Sequence, residues 1–308
     1  MKHVVITGAT SMLGLALINE CIKENTKVLA IVRRESKKRD LLPNSALIKV
    51  IEKDLNELHD CKDIPKGNYD VFYHFAWEAT ENKRRYDVEA QHSNIVFALD
   101  ALKLAKQMGC HRFIGAGSQA EYGRVDGTIT PDYRVAPDSA YGISKYTAGR
   151  LCLMLAEQLE IECIWTRIFS TYGICDMPST MIMYCIDSLL KGEKPQLTKC
   201  EQQWDYLNSR DAARAFYLIG EKGKAGSLYN IGSGNARPLI EYVELLRNEI
   251  DPSLPLGIGE KEYVPQQVMY LCPDISNLQN DTGFKAEISF KEGIKEVIAW
   301  YQKRENLK

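Results

Sequence analysis

The run HVVITGATSMLG at positions 3–14 constrains the fold more than any other stretch of the chain. Lys2 to Thr7 reads as a short buried strand, and an amphipathic helix follows to about Lys23. Between them, Gly8 permits a sharp backbone turn and Gly14 permits close packing of helix on strand. Amides at the start of such a helix face an anion, and in this setting the anion is a pyrophosphate. A glycine turn alone could be merely structural; at the first strand–helix junction it favours a dinucleotide-binding entrance. The spacing is G-x5-G, with Ser11 where a middle glycine is expected.

The second strand, Lys27 to Val32, runs into Arg33-Arg34-Glu35-Ser36-Lys37-Lys38-Arg39. A fold selective for NAD places an acidic residue near this point to bind the ribose 2′-hydroxyl. Here two arginines stand in register, and arginine suits bidentate binding of phosphate. Arg33 and Arg34 are therefore read as a 2′-phosphate pocket, giving NADP(H) as cofactor with NAD(H) as the alternative. Lys37 to Arg39 read as a solvated basic loop.

Further along, about Ala46 to Ile51 forms a third strand leading to Asp54, and YDVFYHFA at 69–76 reads as a central parallel strand. His74 is expected to be a packed or hydrogen-bonded strand-end residue. A long helix, about Arg84 to Met108, carries Asn94, and the strand from His111 ends at Ser118. In open α/β sheets the reactive site lies beyond the carboxyl ends of the strands, where Ser118 would sit. The next helix, about Ser139 to Glu160, carries Tyr141 and Lys145, four residues apart and so on one face. A nearby ammonium lowers a phenol's pKa, and such a phenol can exchange a proton with an alcohol or sugar oxygen near neutrality.

Ile161 to Phe169 reads as another strand and Ser170 to Gly173 as a loop. A helix is expected at Met177–Leu190, a short strand at Trp204–Tyr206 and a helix from Asp211 to Ile219. Leu228 to Ile231 returns to the sheet. Helices at Leu239–Ile250 and Lys291–Lys303 flank a Pro/Gly-rich segment. The expected fold is α/β: a Rossmann doubly wound parallel sheet over 1–170 with 204–235 returning to it, and a smaller lobe from 171–203 and 236–308.

At 308 residues the chain can hold such a body and lobe, and a net charge of −2 gives no basic bias toward nucleic acid or membrane. Nine cysteines, odd in number and without a CxxC pair, speak against disulfides and zinc sites, and no metal is expected. The N-terminus shows no signal-peptide pattern and no apolar run reaches spanning length, so a cytoplasmic location is expected.

Taken together, TGATSMLG, Asp54, YHFAW, Asn94, GSQAEYG, YGISK, RIFSTYG, DYLNSRDAARAF and YNIGSG resemble the extended short-chain dehydrogenases/reductases that modify nucleotide sugars. The resemblance spans nearly the whole chain. It implies Ser118, Tyr141 and Lys145 as the catalytic triad, with Lys145 holding the nicotinamide ribose. It implies a cofactor lined by Gly8, Thr10, Ser11, Met12, Leu13, Gly14, Arg33, Arg34, Asp54, Leu55, Phe75, Ala76, Trp77, Asn94, Tyr141, Lys145 and Ile168. A nucleotide-sugar substrate would meet Ser118, Gln119, Glu121, Tyr141 and Ser170. Arginine forks match phosphate oxygens, so Arg210 and Arg237 read either as diphosphate ligands or as surface ion-pair residues. A homodimer would form through the two long helices.

Gln119 and Ala120 stand where hexose 4,6-dehydratases of this family carry an Asp-Glu pair, and that elimination needs an acid and a base. A reductase of a nucleotide-linked 4-keto-6-deoxy sugar, or a C4-epimerase, remains; the arginines favour the reductase. A steroid or flavonoid ketone would suit the same triad. An NADP-sensing protein is the non-enzymatic alternative, and the complete triad argues against it.

Overall fold

The computed structural model describes residues 1–305 apart from 61–63, 66, 126 and 266. In chain order its strands are β1 (His3–Thr7), β2 (Lys27–Val32), β3 (Ile48–Glu52), β4 (Val71–His74), β5 (Arg112–Ser118), β6 (Thr128–Ile129), β7 (Glu162–Ile168), β8 (Ser170–Tyr172), β9 (Gln203–Trp204), β10 (Tyr206–Asn208), β11 (Leu228–Ile231), β12 (Arg237–Pro238) and β13 (Tyr270–Pro273). The helices are α1 (Met12–Lys23), α2 (Val88–Gln107), α3 (Ala140–Leu159), α4 (Met181–Leu190), α5 (Ser209–Lys222), α6 (Leu239–Ile250), α7 (Ser276–Thr282) and α8 (Phe290–Glu305).

Among the described residues the main sheet has seven parallel strands in the order β11-β7-β5-β4-β1-β2-β3. The order reverses between β1 and β4, which opens the crevice where ligands bind in such sheets. One face packs α1 and α5 through Leu17, Ile18, Phe216 and Ile219; the other packs α2 and α3 through Leu102, Ala105, Ala148 and Cys152. With both faces covered, β1, β2, β4 and β5 are almost wholly apolar, as the sequence pattern requires.

Three local differences from the sequence reading have physical causes. Residues 170–172, expected as loop, form a strand because Ser170 to Tyr172 pair in parallel with β10. Residues 204–206, expected as one strand, divide between two sheets at Asp205. Asp205 is fully buried, and its carboxylate accepts from the Ser233 and Gly234 amides at 3.0 and 2.7 Å, pinning the glycine turn after β11. Third, α7 lies within the stretch assigned to the lobe, yet Ile275, Leu278 and Phe284 pack into the same core as Phe216. The lobe's own core joins α4, α6 and α8 through Ile186, Val243 and Val297. Among the described residues no helix is long and apolar enough to cross a membrane.

His74 closes β4 at the reversal point, 2% exposed, with Nδ1 2.9 Å from the Thr7 hydroxyl at the end of β1. Burial, with Lys145 nearby, pushes its pKa down from 6.5 to about 3. The folded protein therefore binds fewer protons here than the unfolded chain between those values. The stability contribution is present above 6.5 and fades as pH falls toward 3. In urea unfolding, wild type should lose stability on acidification through this window relative to His74→Gln, at up to about 1.4 kcal/mol per pH unit. Parallel pH profiles would show that His74 is not the group responsible.

Candidate active site

The turn after β1 begins the site. Gly8 has φ of 66°, and a Cβ there would lie 2.7 Å from the Ala76 amide nitrogen, so only glycine lets the turn pass under the end of β4. Ser11 caps α1, its hydroxyl accepting from the Gly14 amide at 3.0 Å. Thr10 and Ser11 open onto a cavity of about 640 Å³ that also touches Arg33, Lys38, Leu55, Phe75, Ala76 and Trp77. A glycine cradle, a capped helix start and the cavity they open onto fit a dinucleotide. The Met12 side chain turns away into a different cavity, while Leu13 packs on the core.

At the end of β2 the two arginines separate. Arg34 makes a two-pronged pair with Glu57, at 3.1 and 2.7 Å, and this pair holds the Glu57 carboxyl down at about 2. Asp54 caps the turn that carries Glu57 and accepts from the Arg34 amide at 3.1 Å. Arg33 instead lines the cavity with Lys37, Lys38 and Lys53. Of the pair, Arg33 is thus the one placed toward a ligand.

The three candidate catalytic residues converge. Ser118 ends β5 and caps the following turn, its Oγ accepting from the Ala120 amide at 3.2 Å. Tyr141 and Lys145 occupy the first turns of α3, 7% and 4% exposed. Lys145 Nζ donates to the Ala116 carbonyl at 2.5 Å and lies 3.7 Å from the centre of the Trp77 ring. Burial pulls its pKa from 10.5 to about 7, since removing an ammonium from water disfavours its charged form.

The expectation that Lys145 would depress the Tyr141 phenol needs correction. Burial raises the phenol above its ordinary value, and the first group to oppose it is Arg85, followed by a hydrogen bond with Ser118. Arg85 stacks 4.6 Å from the ring centre, whereas Lys145 Nζ is 5.7 Å away and engaged with Ala116.

The segment after β4 supplies both Trp77 and Arg85, and two buried amides of α2 fix its path. Asn94 accepts from the Glu78 amide at 2.8 Å and donates to the Glu78 and Ala90 carbonyls at 3.1 and 2.9 Å. Gln91, 0% exposed, accepts from Trp77 Nε1 at 2.9 Å and donates to the Ala79 and Arg84 carbonyls at 2.8 and 3.2 Å. Asn94 was legible in the sequence. Gln91 and Arg85 were not, although Gln91 lies one helical turn before Asn94 on the same face.

On the lobe side, Ser170 accepts from Trp204 Nε1 at 2.8 Å, and Trp204 pairs across strands with Arg237. Gln119 opens the turn after Ser118, and the half-buried Ile168 ends β7. Two expected substrate contacts lie elsewhere. Glu121 is 0% exposed, with its carboxylate shared among the Ser118 amide, Trp165 Nε1 and Arg167, so it holds the turn under Ser118 from within. Arg210 pairs with Glu296 at 2.5 Å beside Met12 and Trp300, in a separate cavity of about 490 Å³. Among the described residues no cluster of His, Cys, Asp and Glu is placed to hold a metal ion.

Gln91→Ala would leave Trp77 Nε1 and the Ala79 carbonyl without these partners, the Arg84 carbonyl keeping the Asp87 amide at 3.1 Å. A loss of about 2–4 kcal/mol in urea unfolding is expected, from unsatisfied groups costing roughly 1–3 kcal/mol each with partial access to water. A loss under about 0.5 kcal/mol, the range of an ordinary surface substitution, would deny the amide this role.

Residues 4–232 match the model of the NAD dependent epimerase/dehydratase family. A dTDP-glucose 4,6-dehydratase of Neisseria meningitidis serogroup B is 24% identical over 98% of this chain and 93% of its own length. Its counterpart from Shigella flexneri is 29% identical over 54% of this chain, and there the match spans only about half of the relative's length, 48%. Among solved structures, a UDP-N-acetylglucosamine 4-epimerase from Methanobrevibacter ruminantium M1 superposes with a TM-score of 0.87 at 22% identity, covering 98% of this chain and 99% of that one. MoeE5, solved with UDP-glucuronic acid and NAD, superposes with a TM-score of 0.83 at 26% identity, covering 98% and 99%. The chain belongs to the NAD dependent epimerase/dehydratase family, enzymes of the extended short-chain dehydrogenase/reductase type.

Proposed function

We propose that this protein uses NADPH to reduce the 4-keto group of a nucleotide-linked 4-keto-6-deoxy sugar. The observation that carries the choice within the family is the rim of the dinucleotide cavity. Arg33, Lys37, Lys38 and Lys53 border it near the end of β2, where an NAD-selective site would present a carboxylate to the ribose; Glu35 also borders it, outnumbered there by these cations. A 2′-phosphate would find charge-assisted donors there, and an exchangeable NADPH suits net reduction. The bound nicotinamide supplies the hydride.

The chain's own residues do the rest. Ser118 hydrogen-bonds the oxygen that gains charge, and Tyr141 gives that oxygen its proton. Lys145, buried and only partly charged near pH 7, would bind the ribose side of the pocket. Gln119 and Ala120 next to Ser118 offer no carboxyl for acid–base elimination, which speaks against 4,6-dehydration despite the sequence likeness to dehydratases. The lobe built on α4, α6 and α8 would take the sugar nucleotide, and Trp204, bonded to Ser170 and paired with Arg237, links the two residues read as its contacts.

Homodimerisation and a cytoplasmic location belong to the same reading. Val88 and Val96 on α2, and Ile143, Leu151 and Met154 on α3, are exposed apolar side chains that a second copy would cover. The eight described cysteines are buried free thiols, which suits a reducing compartment.

The second reading is a C4-epimerase on retained NAD, favoured by the likeness to a UDP-N-acetylglucosamine 4-epimerase over 98% of this chain. An assay separates the two. With 4-keto-6-deoxy sugars on dTDP, GDP, CDP and UDP, NADPH should disappear one for one with a new 4-hydroxyl product. Tyr141→Phe should lower turnover at least about a hundredfold without unfolding the protein. NADP should bind at least about tenfold tighter than NAD. Arg33→Ala should erase that preference, while Arg34→Ala, already paired to Glu57, should largely keep it. Interconversion of two hydroxy-sugars with no net use of cofactor would establish the epimerase instead.

A further inference from the structure

Arg85 sits in the short 3-10 turn Asn82–Tyr86 and is half-buried against the site. Its Cζ lies 4.6 Å from the centre of the Tyr141 ring, and its Nε donates to the Thr80 carbonyl at 3.2 Å. The ring is boxed on another side by Trp77, edge-on at 6.3 Å. Gln91 anchors this turn through the Arg84 carbonyl, so the guanidinium is presented by a path fixed from within the protein.

We propose that Arg85 is the positioning residue for Tyr141: it holds the ring by stacking and stabilises its phenolate form. The inference rests on the reading of Tyr141 as the residue that gives and takes the proton. A cation over an aromatic face is attracted by the ring's quadrupole, and the attraction grows when the ring itself becomes an anion. Burial favours the neutral phenol, and Arg85 is the first group that counters it.

The other charged groups near the ring do less. Lys145, on the same helix, is 5.7 Å from the ring centre, and its pKa of about 7 leaves it only partly charged near neutrality. Glu121, on the turn after β5, disfavours the phenolate and is committed to Arg167. His74, at the end of β4, is held neutral by burial. A guanidinium keeps its charge at any working pH. Arg85 is therefore the permanent cation at this tyrosine.

The test reads the tyrosine directly. In protein carrying meta-fluorotyrosine, fluorine NMR follows each ring through its titration, and the resonance lost in Tyr141→Phe is that of Tyr141. In Arg85→Met and Arg85→Gln the midpoint should rise by about one pH unit or more, a tenfold change in acid dissociation. Arg85→Lys, which keeps the charge but not the planar stack, should fall between them and wild type. An unmoved midpoint in either folded neutral variant overturns the proposal. No substrate is needed, so a shifted midpoint in a protein inactive on every nucleotide sugar would count against the proposed function alone.

Discussion

An ammonium taken out of water must be held by something, and Lys145 is held by two neutral groups. One is the Ala116 carbonyl on β5 and the other is the face of Trp77. A carbonyl and a ring quadrupole stabilise a cation less than a carboxylate would, so the group is pulled to about 7 rather than left at its ordinary value. That one side chain ties together β5, α3 and the segment after β4. Gln91 fixes Trp77, Trp77 covers Lys145, and the same segment continues to Arg85 over Tyr141. The arrangement of Lys145 and Tyr141 thus depends on a loop whose shape is set by two amides of α2.

The parts of the molecule that follow from periodicity were readable in the sequence. The limits of β2, β11 and α6 are those that the apolar runs indicate, because each is bounded by charged or turn-forming residues. The Gly8 turn was readable for a different reason: no other residue suits its φ and its contact with Ala76. The grouping of Ser118, Tyr141 and Lys145 was implied by the family resemblance, while the residues themselves indicated only a strand end for Ser118 and a shared helix face for Tyr141 and Lys145.

What escaped the sequence was set by tertiary partners. Arg33 and Arg34 are identical as letters, and only Glu57, twenty-three positions on from Arg34, decides which of them is committed to an ion pair. Arg210 and Glu121 looked suited to a polar ligand; one meets Glu296 and the other meets Arg167 and Trp165, neither a neighbour in sequence. Strand β6 has two residues, too few to show a pattern, and exists because Thr128 and Ile129 find Cys272 and Pro273 of β13. α7 reads as a polar stretch, yet Leu278, flanked by Ile275 and Phe284, carries it into the body's core.

Hydride transfer to a ketone, with Tyr141 closing the step, is the claim on which the functional reading stands. The most direct measurement uses NADPH deuterated at its transferable position and a nucleotide-linked 4-keto-6-deoxy sugar. Mass spectrometry and proton NMR should find one deuterium on C4 of the product for each NADPH oxidised. A product free of deuterium, formed while the cofactor pool stays unchanged, would contradict net reduction and leave a hydride that never exchanges with the solution.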